Sequence, residues 1–138
     1  MTAKQWLNRG RRIDQEISKL LDSRRAIEEQ LTSITQQYNS DGAQMTKDPH
    51  KFDRIAEINN MISIRVTDLM NTKAEIMKVI YQLHDSRQRM VLLSYYIDGK
   101  TWEQTAVDMN YSFRQVTRIH GRALQEVEKI QKMSYHVL

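Results

Sequence analysis

The sequence predicts an all-α protein, and three observations support this fold class. Glycine and proline are scarce, with 4 Gly and 1 Pro in 138 residues, whereas 28% of the residues are charged. That composition is typical of long helices and argues against a β-sheet architecture. Two segments within residues 1–85 carry apolar side chains at alternating spacings of three and four, which is the heptad pattern of paired helices. Residues 101–124 have the order of capping and apolar positions expected of a helix-turn-helix. We therefore expect a long N-terminal antiparallel helical hairpin, similar to a coiled coil, followed by a helix-turn-helix.

The first predicted helix covers about residues 3–38. One face of it follows the heptad spacing without interruption, with a glycine and an arginine among the apolar positions. The positions of this seam are Trp6, Gly10, Ile13, Ile17, Leu20, Arg24, Ile27, Leu31, Ile34 and Tyr38. Asn, Ser, Asp, Gly and Pro then cluster in residues 39–50, which predicts a loop. Asp48-Pro49 at its end is a good helix start, since proline is favoured in a first helical turn.

The second predicted helix runs from about residue 49 to residue 84. Its seam positions are Phe52, Ile55, Asn59, Ile62, Val66, Leu69, Lys73, Ile76, Ile80 and Leu83. Each helix would be ~50 Å long at 1.5 Å per residue, so an antiparallel hairpin is the simplest arrangement of the two. Such a hairpin leaves apolar surface exposed, which favours a homo-oligomer formed through residues 3–84. The alternative is a monomeric hairpin that folds back onto the C-terminal module.

The C-terminal module begins with a short predicted helix over residues 86–97, which ends at the turn Asp98-Gly99. Thr101 can then cap a helix, with Gln104 completing a capping box. Asn110 suits the left-handed turn that ends this helix, and Ser112 can cap the next one. The sequence thus predicts a helical hairpin domain over residues 1–85 and a DNA-binding domain over residues 86–138.

The exposed face of the last helix is basic. Arg114, Arg118 and Arg122 are four residues apart and share one helix face, and no acidic residue occurs between Asp108 and Glu126. Guanidinium groups suit both phosphate and the guanine edge, and the major groove admits one helix. Residues 86–138 hold 8 Lys and Arg against 5 Asp and Glu, whereas residues 1–85 hold 13 against 12. These features predict a module that binds double-stranded DNA.

Other chemistry finds little support in the sequence. The four histidines are scattered without metal-ligand spacing, and the glycines form no phosphate-binding loop. We therefore expect no enzymatic activity, no cofactor and no metal site. There is no cysteine, no apolar signal segment and no run approaching the ~20 apolar residues that span a bilayer. The expectation is a soluble cytoplasmic protein with no membrane association.

Two stretches together resemble region 4 of bacterial sigma factors. They are Arg87-Gln-Arg-Met-Val-Leu-Leu-Ser-Tyr-Tyr-Ile-Asp-Gly-Lys-Thr-Trp-Glu-Gln-Thr-Ala and Tyr111-Ser-Phe-Arg-Gln-Val-Thr-Arg-Ile-His-Gly-Arg-Ala-Leu. The likeness covers about residues 80–130. The length and layout are similar to those of phage-encoded late-transcription activators of the RinA/ArpU type from Gram-positive bacteria. No segment resembles the sigma region that melts promoter DNA, so a regulator is favoured over a stand-alone sigma factor.

The resemblance implies a reader of promoter DNA in a bacterial host cell, with RNA polymerase as a further candidate partner. The residues that it implies in DNA binding are Lys100, Thr101, Ser112, Phe113, Arg114, Gln115, Thr117, Arg118 and Arg122. Those that would face the major groove are Ser112, Phe113, Arg114, Gln115, Thr117 and Arg118, whereas Lys100 and Arg122 would contact phosphates. Two alternatives stay open at this point. One is a small terminase subunit that recognises phage packaging sites, and the other is a protein that binds RNA polymerase without contacting DNA.

Overall fold

The structure is a computed structural model that describes the backbone of residues 1–41 and 49–136 and the side chains of residues 1–33 and 52–134. All regular structure in these residues is helical, as the composition predicts. The helices are α1 (Ala3–Leu7), α2 (Arg9–Asp41), α3 (Pro49–Ile80), α4 (Ser86–Leu92), α5 (Trp102–Met109) and α6 (Phe113–His136). A π-helical turn over Leu93–Ile97 continues α4. The start of α3 at Pro49 agrees with the prediction, and most of the predicted loop lies outside the described residues.

The first predicted helix is interrupted at its N-terminal end. Thr2 caps α1 through a capping box with Gln5, and Asn8 ends α1 before α2 begins at Arg9. Asn8 and Gly10 both have low helix propensity, which favours a break at this point. Residues 3–38 are therefore helical as predicted, but in two segments that meet at a bend at Asn8, which the heptad spacing did not indicate.

The chain divides into two compact units. The terminal unit consists of Met1–Arg12 and Leu69–Leu138, and the middle unit consists of Ile13–Asp68. The predicted division at residue 85 differs from this one, because both ends of the predicted hairpin belong to the terminal unit. The division by packing does not test the division by role that the sequence suggested.

The terminal unit has a continuous apolar core to which four helices contribute. Its fully or almost fully buried side chains are Ala3, Leu7, Ile76, Ile80, Leu83, Leu92, Tyr96, Ala123 and Val127. Trp6, predicted on the hairpin seam, packs against this core instead. The seam residues Ile76, Ile80 and Leu83 do the same. The sequence placed these four residues on the hairpin seam and left open a hairpin that folds back onto the C-terminal module, since heptad spacing does not specify which helix covers a stripe.

The middle unit is built differently. None of its described side chains is buried, and its apolar residues are half-buried or exposed. Phe52 and Val66 were predicted on the seam, yet both are exposed. The polar seam positions Arg24 and Asn59 do meet, since Arg24 Nη1 donates a hydrogen bond of 3.1 Å to Asn59 Oδ1. Arg65 forms an ion pair of 3.0 Å with Glu16, also between α2 and α3.

Candidate nucleic-acid interface

The segment from α5 to α6 has the caps that its sequence predicts. The Thr101 hydroxyl accepts a hydrogen bond from the Gln104 backbone N–H, and the Gln104 side chain accepts one from the Thr101 N–H. Asn110 ends α5 in the left-handed conformation, with φ 58° and ψ 40°. Ser112 and Gln115 form the same reciprocal pair at the start of α6. A three-residue connection that begins with an αL residue therefore separates two well-capped helices.

A small apolar cluster holds α4, α5 and α6 together. Val91, Ala106 and Val116 are buried in it, one from each helix. Ala106 is the small residue that a close approach of two helices requires. Thr105 is fully buried as well, and its hydroxyl is satisfied by a 2.9 Å hydrogen bond to the Thr101 carbonyl. The burial of Val116 fixes which face of α6 points inward.

The arginines lie on the opposite face of α6. At about 100° per residue, Val116 is about 160° around the helix from Arg118. Arg114, Arg118 and Arg122 are all exposed. Within the described residues no carboxylate forms an ion pair with any of them. The structure therefore brings three cationic side chains onto one exposed, acid-free face.

The two compact units differ in net charge more than the two predicted domains do. The terminal unit holds 14 Lys and Arg against 7 Asp and Glu, whereas the middle unit holds 7 against 10. Residues 1–12 alone add four cations to the unit that carries α6, with no acidic residue among them. The terminal unit therefore has a formal net charge of +7 and the middle unit one of −3.

The other candidate DNA-binding residues around α6 form two groups, one with exposed side chains and one whose side-chain oxygens cap the helix. Phe113 and Thr117 are exposed on the first turns of α6 together with Arg114 and Arg118. Ser112 and Gln115 lie there too, but their oxygens are engaged in the capping box. The Gln115 amide N–H groups stay available for a base or phosphate acceptor.

Lys100 and Thr101 lie before α5 rather than on α6. Lys100 Nζ is 2.6 Å from Asp108 Oδ2, and this contact raises the pKa of Lys100. Its charge is thus shared with a carboxylate, while the Thr101 hydroxyl serves the cap of α5. Both residues are less available for phosphate than the three arginines of α6.

Aromatic side chains of the π-helical turn, α5 and α6 form a cluster, and Arg11 from the N-terminal segment packs against it. The sequence did not predict the contribution of Arg11. Tyr95 stacks on Trp102 with ring centroids 3.8 Å apart. The Arg11 guanidinium lies 4.0 Å from the Tyr95 ring centroid and donates a 2.7 Å hydrogen bond to the Tyr95 carbonyl. No local sequence signal links residues 84 positions apart. Arg11 therefore ties the start of α2 to the end of α4.

His120 lies on the inner side of α6 in the same cluster. Its Nε2 is 2.7 Å from the Tyr96 hydroxyl, and its ring packs edge-on against Trp102. Burial, with a smaller contribution from the charge of Lys4, lowers the pKa of His120 from an ordinary value of 6.5 to about 4. Burial also raises the pKa of Tyr96 above its ordinary value. A neutral tyrosine can donate to a neutral imidazole, so this pair is a packing device and not a phosphate contact.

Among the described residues no group of three or more His, Asp or Glu side chains is placed to hold a metal ion. No helix of residues 1–41 and 49–136 is long and apolar enough to cross a membrane. No family model, curated protein or solved structure matches the chain.

Proposed function

We propose that the protein is a sequence-specific regulator that binds double-stranded DNA through α6. In this proposal α5 and α6 form a helix-turn-helix of the sigma region 4 type, and α6 enters the major groove. The observation that carries the proposal is the exposed, acid-free row of Arg114, Arg118 and Arg122 on a helix whose other face is buried. The basic surplus of the terminal unit supports it, because long-range attraction to phosphate needs an excess of cations over acids on the same unit.

The role of each side chain follows from its position along α6. Arg114 and Arg118 lie in the first two turns, from which side chains of a recognition helix reach base edges. Arg122 lies a further turn away, where a contact to the phosphate backbone is favoured. Phe113 is 50% exposed at the very start of the helix and can meet a thymine methyl group.

We further propose that α2 and α3 form an antiparallel hairpin. Glu16 pairs with Arg65, and Arg24 pairs with Asn59, so the residue number falls along α3 as it rises along α2. The hairpin occupies the position that the DNA-melting region has in a complete sigma factor. The acidic surplus of the middle unit, which contains most of the hairpin, argues against a second DNA surface there.

The DNA-binding proposal is tested by fluorescence anisotropy with a 30-base-pair duplex of random sequence at low salt. On this duplex we expect Arg114→Ala and Arg118→Ala each to weaken binding, because each removes a cation close to the phosphates. On a duplex recovered by selection from a random library, each should weaken binding by about tenfold, as loss of a base contact worth roughly 1–3 kcal/mol implies. Arg122→Ala should lower the slope of log K against log salt by about 0.9. Selection from a random duplex library then separates the roles, since Arg114→Ala and Arg118→Ala should alter the selected sequence and Arg122→Ala should not.

Arg25→Ala is the matched control, because it removes the same charge from an exposed position in the middle unit. It should leave the affinity unchanged. Equal affinity of the wild-type protein, Arg114→Ala and Arg118→Ala would contradict this use of α6.

A further inference from the structure

The middle unit has an apolar groove that the described residues leave uncovered. The groove measures about 590 Å³ and lies between α2 and α3. Its lining residues are Glu16, Lys19, Leu20, Ser23, Met61, Ile64 and Arg65. Met61 and Ile64 are 52% and 62% exposed. Large apolar side chains grouped in a concave surface mark an interaction site more often than a random surface does.

The described helices of the middle unit leave apolar surface that a further layer of helices would cover. None of its described side chains is buried, so its helices have not covered their apolar stripes. Helices in water gain most of their stability from packing an amphipathic face against another element. A second pair of helices laid on the groove would supply that missing layer.

The charges around the groove are compatible with a copy of the same surface. Glu16 and Arg65 on its rim pair with each other within the chain, 3.0 Å apart, and Lys19 leaves the rim with a small net charge. An apolar centre with a nearly neutral rim can lie against its own copy, as a two-fold interface requires. The middle unit as a whole is acidic, which disfavours nucleic acid as the occupant.

The area available is sufficient for a dimer. The described parts of the two helices span residues 13–33 and 52–68, and are ~30 and ~25 Å long at 1.5 Å per residue. A pair of helices is ~20 Å across, so one face covers about 500 Å² per chain. Two such faces together reach the ~1,000 Å² that a specific interface requires.

We propose that a second copy of this chain docks in the groove of Leu20, Met61 and Ile64 and forms a two-fold dimer. This dimer surface is smaller than the one that the sequence predicted, residues 3–84, because residues 3–12 and 69–84 contribute to the core of the terminal unit. The inference rests on the proposed function in one respect, since the antiparallel hairpin forms the groove. A dimer would present two copies of α6 to DNA and would thus select two half-sites.

Sedimentation equilibrium of the full chain at about 1–100 µM tests the dimer. The wild-type protein should show about twice the chain mass of 16.4 kDa. Met61→Lys and Ile64→Lys should each give the monomer mass, because a buried lysine ammonium would lie in the apolar interface. Ile64→Ala, which disturbs folding least, should weaken self-association by about tenfold.

Phe52→Lys is the matched control. Phe52 is 70% exposed on α3 and lies about 180° around the helix from Met61. It should leave the dimer intact, and circular dichroism should show equal helix content in all variants. A monomeric wild-type protein would overturn the proposal, as would a dimer that survives Ile64→Lys and dissociates with Phe52→Lys.

The two proposals fail separately. Arg118→Ala should lose affinity for the random duplex and keep the dimer mass. Ile64→Lys should keep its affinity for that duplex within about twofold, because one recognition helix suffices for contacts with a single site. A wild-type protein that is monomeric but binds DNA would therefore reject only the dimer proposal.

Discussion

The terminal unit and the middle unit are made from the same kind of amphipathic helix, yet they end with opposite properties. In the terminal unit, α1 and the end of α3 meet α4 and α6 and bury side chains such as Leu7, Ile76 and Val127 completely. In the middle unit, α2 and α3 have only each other among the described residues, and no described side chain is buried. The surfaces differ in charge too, with a basic surplus on the terminal unit and an acidic one on the middle unit.

The difference teaches that a heptad pattern specifies a stripe but not the helix that covers it. The seam continues from residue 52 to residue 83 without a change of spacing. Its last positions are covered by other helices, while its earlier ones stay half-buried or exposed. Folding stability is therefore expected to concentrate in the terminal unit, and association in the middle unit.

The largest expected effect concerns the core of the terminal unit. Leu7→Ala should lower the free energy of unfolding by about 3 kcal/mol, since it removes a fully buried side chain and leaves a cavity. Ile17→Ala in the middle unit should cost about 1 kcal/mol, because Ile17 is only half-buried. Both tryptophans, Trp6 and Trp102, lie in the terminal unit, so their fluorescence reports its unfolding in urea.

The comparison also predicts that the two units unfold at different urea concentrations. Circular dichroism at 222 nm follows both units, whereas tryptophan fluorescence follows one. The Leu7→Ala substitution should move the fluorescence midpoint further than the Ile17→Ala substitution does. Equal shifts for the two variants would show that the chain has a single cooperative core.

A smaller effect is expected from pH. The unfolded chain binds a proton at His120 near pH 6.5, whereas the folded protein binds it only near pH 4. Stability is therefore lost as the pH falls through this window, by on the order of 2 kcal/mol after allowance for partial exposure. Above pH 10 the raised pKa of Tyr96 also lowers the stability, now as the pH rises, since only the unfolded chain ionises there. Urea unfolding followed by tryptophan fluorescence from pH 3.5 to 8 measures the loss on the acid side. It gives the acid limb, which is the fall in the free energy of unfolding at low pH.

His120→Gln should flatten that acid limb relative to the wild-type protein. The exposed His84 offers the matched control, and His84→Gln should leave the limb as it is. Carboxylates titrate in the same range, so the difference between the two variants carries the test. An identical limb in both would assign the acid sensitivity to other groups.

The smallest effect concerns the contact between Lys100 and Asp108. Asp108→Asn removes a carboxylate from the unit proposed to bind DNA and frees the ammonium of Lys100. Affinity for duplex DNA should rise by about threefold at low salt and less at high salt, because exposed charges are screened. Asp68→Asn removes a carboxylate that pairs with Arg65 in the middle unit and should leave the affinity for DNA unchanged. Equal effects of the two substitutions would contradict the assignment of DNA binding to the terminal unit.

Much of the local structure could be predicted because its causes are local. The caps at Thr101 and Ser112, the left-handed Asn110 and the burial of Val116 all follow from residues within one or two turns. The exposed face of α6 follows from the same spacing. The break at Asn8 was missed, since weak helix propensity at one position did not outweigh a continuous heptad pattern.

The sequence by itself determined the helical class, the turn between α5 and α6, and the row of Arg114, Arg118 and Arg122, because each depends on residues a few positions apart. Only the tertiary structure decided that residues 1–12 and 69–84 join the C-terminal helices. It also decided that Arg11 stacks on Tyr95, that His120 meets Tyr96, and that the basic surplus gathers on one unit. The physical reason is that an apolar stripe gains the same free energy from any helix that covers it, so the partner is set by how the whole chain packs.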